Sequence, residues 1–181
     1  MAEKNGRAIM EEGAGTRIAY LAEYEESIPL VAAWGFQEWG HLTPGATLEG
    51  TVERFRAQTK PGMIPETLVA LHGQHVIGMA SLVKNDLSLR PELTPWMASV
   101  YVDTPYRGCG VGSQIVRAVL AEAAALALER LYLITHDRMT FYRRLGWTRV
   151  ERVRYRGEDV TVMRYSLTEA AGEIAGCRRD R

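Results

Sequence analysis

Three glycines at alternate positions, Gly108, Gly110 and Gly112, follow Arg107 within YVDTPYRGCGVGSQIVRAVL (residues 101–120), directly before an alanine-rich amphipathic run. Glycine has no Cβ and takes up left-handed backbone readily, so a loop built from it can bring bare N–H groups against a ligand. A helix opening behind the loop, near Gly112, adds the partial positive charge of its N-terminus at the same spot. The chemistry implied is anion binding, and a phosphate is the group that fits. A tight turn alone accounts for one glycine more readily than for three beside an arginine. Spacing then excludes two common phosphate binders. A Walker loop needs a lysine after its last glycine, and here Gly112 is followed by Ser113 and Gln114. A Rossmann fingerprint needs G-x-G-x-x-G after the first strand of its unit, whereas this G-x-G-x-G follows several predicted strands.

The rest of the composition narrows the class. The 181 residues are 46% hydrophobic, enough for one domain with a sizeable core. Lys+Arg and Asp+Glu both number 22, so no global field draws nucleic acid or anionic lipid, and ionic recognition must be local. Cys109 and Cys177 make no disulfide framework and no metal-ligand spacing, so no metal is expected and a reducing cytoplasm is the expected location. No window is long and apolar enough to be read as a signal peptide or membrane span.

The elements that must hold the loop can be read from periodicity. Residues 1–15 and 168–181 are polar, glycine-dotted and weakly periodic, and are expected to be mobile. TRIAYLAEY reads as a first strand. SIPLVAAWGFQEW reads as a helix with Ser27 as N-cap and a stripe of Leu30, Val31, Trp34 and Phe36. A more polar helix follows at residues 47–58. TLVALHG and HVIGMASLV form a predicted hairpin, and WMASVYV (96–102) another strand. In the long helix after the glycines, Ile115, Val116, Val119, Leu120, Ala123 and Ala127 share one face, while Ser113, Arg117 and Glu122 can reach water. RLYLIT (130–135) reads as a buried strand, DRMTFYRRLG as a short helix stopped by Gly146, and WTRVERVRYRGEDVTVMRYSL as a hairpin turning at Arg156-Gly157. The order is β, α, α, β, β, β, α, β, α, β, β. It predicts an α+β fold with a mixed sheet flanked by helices.

Arg107, Gly110 and Gly112 fill a pattern of the form Arg/Gln-x-x-Gly-x-Gly/Ala, and RLYLIT and FYRRLGW stand downstream of it. In these features the chain resembles the GNAT superfamily of acetyl-CoA-dependent N-acetyltransferases, over about residues 16–167. The resemblance implies a mostly antiparallel central sheet of about seven strands and acetyl-CoA as co-substrate. It places the CoA pyrophosphate on the main chain of Arg107, Gly108, Cys109, Gly110, Val111, Gly112 and Ser113. It also implies that the main chain of Val100, Tyr101 and Val102 pairs with the pantetheine like an added strand and donates to the thioester oxygen. Tyr142 matches the family tyrosine near the sulfur; a phenol of pKa ~10 is protonated at neutral pH and can donate to a thiolate. Phe141 reads better as a core aromatic.

The proton acceptor is less plain. Many relatives carry a glutamate on the strand before the loop, but PWMASVYV offers only Ser99 as a polar side chain. His136, after RLYLIT, is the first candidate, with imidazole's pKa of ~6.5; a histidine that caps a helix with Asp137 or binds backbone is an equal reading. Glu92, His41 and Glu38 could relay a proton through water. Cys109 in the loop could be an activated thiol, although no histidine lies near it in sequence. The resemblance implies that the acceptor enters on the side of the first two helices and their connection, WGFQEWGHLTPGATL, where Trp39 and His41 would line its path and Trp34 reads as core. It would be the primary amine of a small molecule or a peptide N-terminus, with no nucleic-acid or membrane partner; a homodimer is compatible with the pattern. A non-catalytic acyl-CoA sensor of the same fold, and an interaction module with a purely structural loop, are the rival classes.

Overall fold

A computed structural model describes residues 15–168. Apart from residues 15 and 168, the two segments expected to be mobile, and Cys177 with them, lie outside the described residues. The elements appear in the expected order: β1 (Arg17–Tyr20), α1 (Ile28–Trp39), α2 (Leu48–Arg56), β2 (Glu66–His72), β3 (His75–Val83), β4 (Trp96–Val102), α3 (Val111–Ala125), β5 (Arg130–Thr135), α4 (Met139–Arg144), β6 (Thr148–Tyr155) and β7 (Glu158–Ser166). All seven strands join in one sheet of order β1-β2-β3-β4-β5-β7-β6. Neighbours are antiparallel except β4 and β5, which run parallel.

Helices cover the sheet on both sides, which is why β2 is buried at every position. Leu68 and Ala70 of β2 point to the side of α3, whose Ile115, Val116, Val119, Leu120 and Ala123 fill that core. Val69 and Leu71 point to the other side, against Ile28, Val31, Ala32 and Trp34 of α1 and Phe55 of α2. A third cluster, Leu87, Trp96, Tyr132 and Val162, lies under the β3–β4 connection.

Four sequence expectations shift. Leu30 is 42% exposed rather than part of the α1 stripe. The buried residues Ile28, Val31, Ala32 and Gly35 fall at i, i+3, i+4 and i+7, and Leu30 lies off that face. Ser27 precedes α1 but makes no side-chain cap, because a 3-10 turn (Glu25–Ser27) runs straight into the helix. Ala127 does not continue the α3 stripe. It takes left-handed backbone (φ 55) beyond the helix end, with Leu128 N donating to Ala123 O (3.0 Å) and Ala127 N to Ala124 O (3.0 Å). That is a Schellman closure with alanine where glycine is usual. The first strand is also shorter than TRIAYLAEY suggests, because the chain leaves the sheet after Tyr20 and sinks Leu21 into the core.

Candidate active site

The site begins where two strands part. β4 and β5 share a single register pair, Trp96 with Tyr132, near their starts, and diverge toward Val102 and Thr135. The cleft between them exposes the edge of β4. Asp103 N donates to Ile77 O (2.9 Å), and backbone groups along a ladder alternate sides, so the N–H and C=O of Val102 face away from β3 toward the cleft. Arg107 Nε occupies the Val102 carbonyl (2.8 Å), with its guanidinium over the Tyr101 ring (5.2 Å). Arg107 is therefore a clasp between loop and strand, and the Val102 N–H stays available on the cleft side.

A β-bulge interrupts β4 one step earlier. The register moves from Met79↔Tyr101 to Ser81↔Ala98, leaving one extra residue on β4, and Ser99 adopts φ 52. Left-handed backbone at a non-glycine residue is strained, and bulges of this kind re-aim the strand beside functional sites. Nothing in the sequence of WMASVYV marked it.

The glycine loop is built for its backbone. Gly108 and Gly110 have φ 80 and 84, and a Cβ at either would meet no heavy atom within 4 Å. Packing thus does not require glycine there; left-handed backbone and open space do. At Gly112 a Cβ would meet the Phe141 ring at 3.5 Å, an ordinary contact, so packing does not require glycine there either. Between Arg107 N, which donates to Thr104 O, and Gln114 N, which donates to Gly110 O, the amides of residues 108–113 have no acceptor among the described residues. Gly110 stands at the N-cap of α3 without a side chain to cap it. A row of free N–H groups converges with the helix dipole on open space, as an anion site requires. Cys109 in this loop is exposed, its sulfur 3.8 Å from Arg107 O.

Tyr142 on α4 is 7% exposed, edge-on to Phe141 and Trp147. Burial pushes its phenol up to about 12, against a small pull from Arg138, so it keeps its proton through the neutral range. His136 stands just past β5 with its Nε2 2.5 Å from Glu158 Oε2, while His41 Nε2 approaches Glu158 Oε1 at 3.7 Å. Glu158, at the start of β7, therefore joins the two histidines singled out in the sequence, and Arg156 reaches Thr43 (2.7 Å) across the same gap. The β6–β7 turn is tied to the α1–α2 connection. Trp39 packs against the core beside Trp34, which stacks on Tyr101 (5.0 Å).

On the α1–α2 side of β4 a half-open pocket of about 300 Å³ is lined by Arg54, Gln58, Pro65, Val83, Lys84, Asn85, Asp86, Ala98 and Ser99. The bulge brings Ser99 into its wall. Neither Trp39 nor His41 lines it. Lys84, Asn85 and Asp86 on its wall belong to the β3–β4 connection, where sequence had singled out only Glu92, and three tethers hold that connection: buried Leu87, Arg90 bonded through Nε and Nη2 to Glu151 (2.8 Å each), and Ser88 Oγ against the Tyr155 hydroxyl (3.3 Å). Arg54, Asp86, Ser99 and Glu158 are the residues that sequence reasoning missed or left without a role. No motif links them, because they come from α2, the β3–β4 connection, β4 and β7. Among the described residues no cluster of His, Cys, Asp and Glu could hold a metal ion, and no helix is long and apolar enough to cross a membrane.

Comparison with known proteins is consistent with this geometry. Residues 31–147 match the model of the acetyltransferase (GNAT) family. Among solved structures, an aminoglycoside 6'-N-acetyltransferase complexed with coenzyme A superposes with a TM-score of 0.67 at 12% identity, covering 83% of this chain and 97% of that one. An N-acetyltransferase from Staphylococcus aureus Mu50 gives 0.66 at 15% identity, with 85% and 99% covered. A presumed acetyltransferase from Salmonella typhimurium, solved with its cofactor acetyl-CoA, gives 0.64 at 16% identity, with 85% and 95% covered. No curated protein matches the chain.

Proposed function

The chain belongs to the acetyltransferase (GNAT) family, a family of acyl-transferring enzymes, and on that premise we propose that it transfers the acetyl group of acetyl-CoA to a primary amine by direct attack. The observation that carries this reading is the run of acceptor-less amides at residues 108–113 in front of an uncapped helix. The pyrophosphate would sit on those amides, where Gly108 and Gly110 leave the room it needs. Bound acetyl-CoA supplies a thioester, a carbonyl already activated toward amines.

The protein's own groups supply the rest. The Val102 N–H, on the cleft side of β4, donates to oxygen as negative charge gathers there. Tyr142 holds a proton that the departing sulfur can take, and its high pKa keeps that proton in place until a strong base, the thiolate, appears. The amine reaches the site as an ammonium. It gives up one proton to a basic group, its lone pair forms the C–N bond, the C–S bond breaks, and the nitrogen's second proton returns through water to the Tyr142 oxygen. For the basic group, His136 with Glu158 behind it is one candidate; its side chain is 39% exposed, at the rim of the site.

Thiol release from acetyl-CoA in the presence of a panel of amines, including a peptide with a free N-terminus, tests the reading. Release with at least one amine supports it. Tight binding of acetyl-CoA with no release for any amine would turn it to an acyl-CoA sensor, and no thermal stabilisation by acetyl-CoA would refute the loop's role.

A further inference from the structure

Resting on that reading, we propose that the pocket between α2, the β3–β4 connection and the β4 bulge is the acceptor site, that it takes a small amine carrying its own carboxylate, and that Asp86 accepts the ammonium proton while Arg54 and Lys84 hold the carboxylate.

Position comes first. Ser99 and Ala98 form one wall, and the next residues of β4, Val100–Val102, line the cleft in which the thioester is expected. The bulged Ser99 on the pocket wall is followed directly by Val100 on the same strand, so an amine in the pocket would lie beside a carbonyl placed along β4. Size comes second. About 300 Å³ is at the lower end of the range of ligand sites, which suits an acceptor of amino-acid dimensions better than a trisaccharide.

Charge decides the class. Three charged side chains, Arg54, Lys84 and Asp86, face this pocket. Among the described residues none of the three stands in an ion pair, although Arg90, Arg130, Arg152 and His136 all find carboxylates. Charges left open around a concave space fit a ligand that supplies the opposite charges, here one cation and one anion. A polyamine would meet Arg54 and Lys84 as like charges, and a simple alkylamine would add a third cation to a pocket whose one carboxylate is Asp86. The Arg54 guanidinium lies over the Phe55 ring (4.9 Å), which fixes the planar group on the pocket wall.

The carboxyl is suited to its part. Desolvation raises Asp86 to about 6, against the pull of Arg54 from α2 and Arg156 from the β6–β7 turn. Lys84 from its own connection also lines the pocket. Such a group is ionised at neutral pH and a better base than an ordinary carboxylate. His136, already bound to Glu158, then serves to fasten the hairpin wall.

The test measures thiol release and, separately, calorimetric binding to the full chain with CoA present. The probes are glycine, L-methionine and L-glutamate, their α-carboxamides, spermidine and kanamycin. We expect turnover of at least one amino acid, with its amide at least tenfold weaker in kcat/KM, and Arg54→Gln erasing that difference. Asp86→Asn should lower kcat about 100-fold with unchanged acetyl-CoA affinity, and should remove an acid limb near pH 6 that His136→Gln leaves in place. Preference for spermidine or kanamycin, equal use of acid and amide, or a parent-like pH profile in Asp86→Asn would each overturn the proposal. If Asp86→Asn does not fold, the amide comparison in Arg54→Gln decides. If acetyl-CoA itself fails to bind, the acetyltransferase reading falls; amino-acid binding without CoA that Arg54→Gln abolishes would still support the pocket, and no binding would overturn it.

Discussion

The two sides of β4 offer a ligand different physics. On the α3 side the glycine loop presents main-chain N–H groups from one unbroken stretch, residues 108–113, with the axis of α3 behind them. On the α1–α2 side the pocket presents side chains from separate segments: Arg54 on α2, Lys84 and Asp86 on the β3–β4 connection, Ser99 on the bulge. Backbone groups are the same in every protein, so a site made from them suits a ligand common to a family. A site made from side chains on dispersed elements can be rebuilt residue by residue without disturbing the first. One sheet thus carries a constant half and an adjustable half, joined at the β4–β5 split.

Substitutions can break either half alone. The largest effect is expected from Gly110→Glu. It forces a side chain into φ 84, strained by about 1–2 kcal/mol, and sets a carboxylate where the pyrophosphate would lie. Calorimetry should show acetyl-CoA affinity down at least 100-fold, with amino-acid binding to the opposite pocket kept. Next comes Tyr142→Phe, which should cost about 100-fold in kcat while the acetyl-CoA dissociation constant moves less than about twofold. Equal rates in variant and parent would take Tyr142 out of the reaction.

The same phenol has a stability signature. Its folded pKa of about 12 lies above the ordinary value of 10.0, so its contribution is full below pH 10 and is lost as pH rises from 10 to 12. Urea melts of Tyr142→Phe should show a shallower alkaline decline than the parent. A decline remains in the variant, since Tyr20 is raised to about 12 as well, chiefly by its bond to Glu122 (2.7 Å).

Smaller effects test the adjustable half. Arg90→Ala removes the twin bond to Glu151 that tethers residues 84–95. It should raise the amine KM a few-fold and leave the acetyl-CoA KM unchanged; the reverse pattern would mean that this wall serves the cofactor side. Smallest of all is Cys109→Ser, where we expect parent activity and thermal stability, because the thiol is exposed and its hydrogen bond to the Arg107 carbonyl is long, at 3.8 Å. Loss of activity there would revive a thiol nucleophile.

The legibility of the two halves in sequence follows the same division. Arg107, Gly108, Gly110 and Gly112 were readable because backbone conformation is a local property and glycine is its marker. The element order was readable because buried faces impose periods of 2 and 3.6 along the chain. Leu30 and Ala127 were misplaced because periodicity gives the width of an apolar face but not where the partner surface ends or where the helix closes. Asp86 was passed over entirely: an aspartate in KNDLS looks like any turn residue until Leu87 is driven into the core and carries its neighbour to the pocket wall.

From sequence alone, then, come the family, the layered sheet and the glycine loop with its open backbone, all of which depend on contacts within short stretches or on repeating patterns of burial. Only the folded chain decides where β4 and β5 part, that Ser99 bulges, that Glu158 joins His136 to His41, and that Arg54 and Asp86 face one cavity. Those outcomes depend on pairing between residues far apart in the chain, where strand register and loop anchoring, rather than local preference, set the geometry.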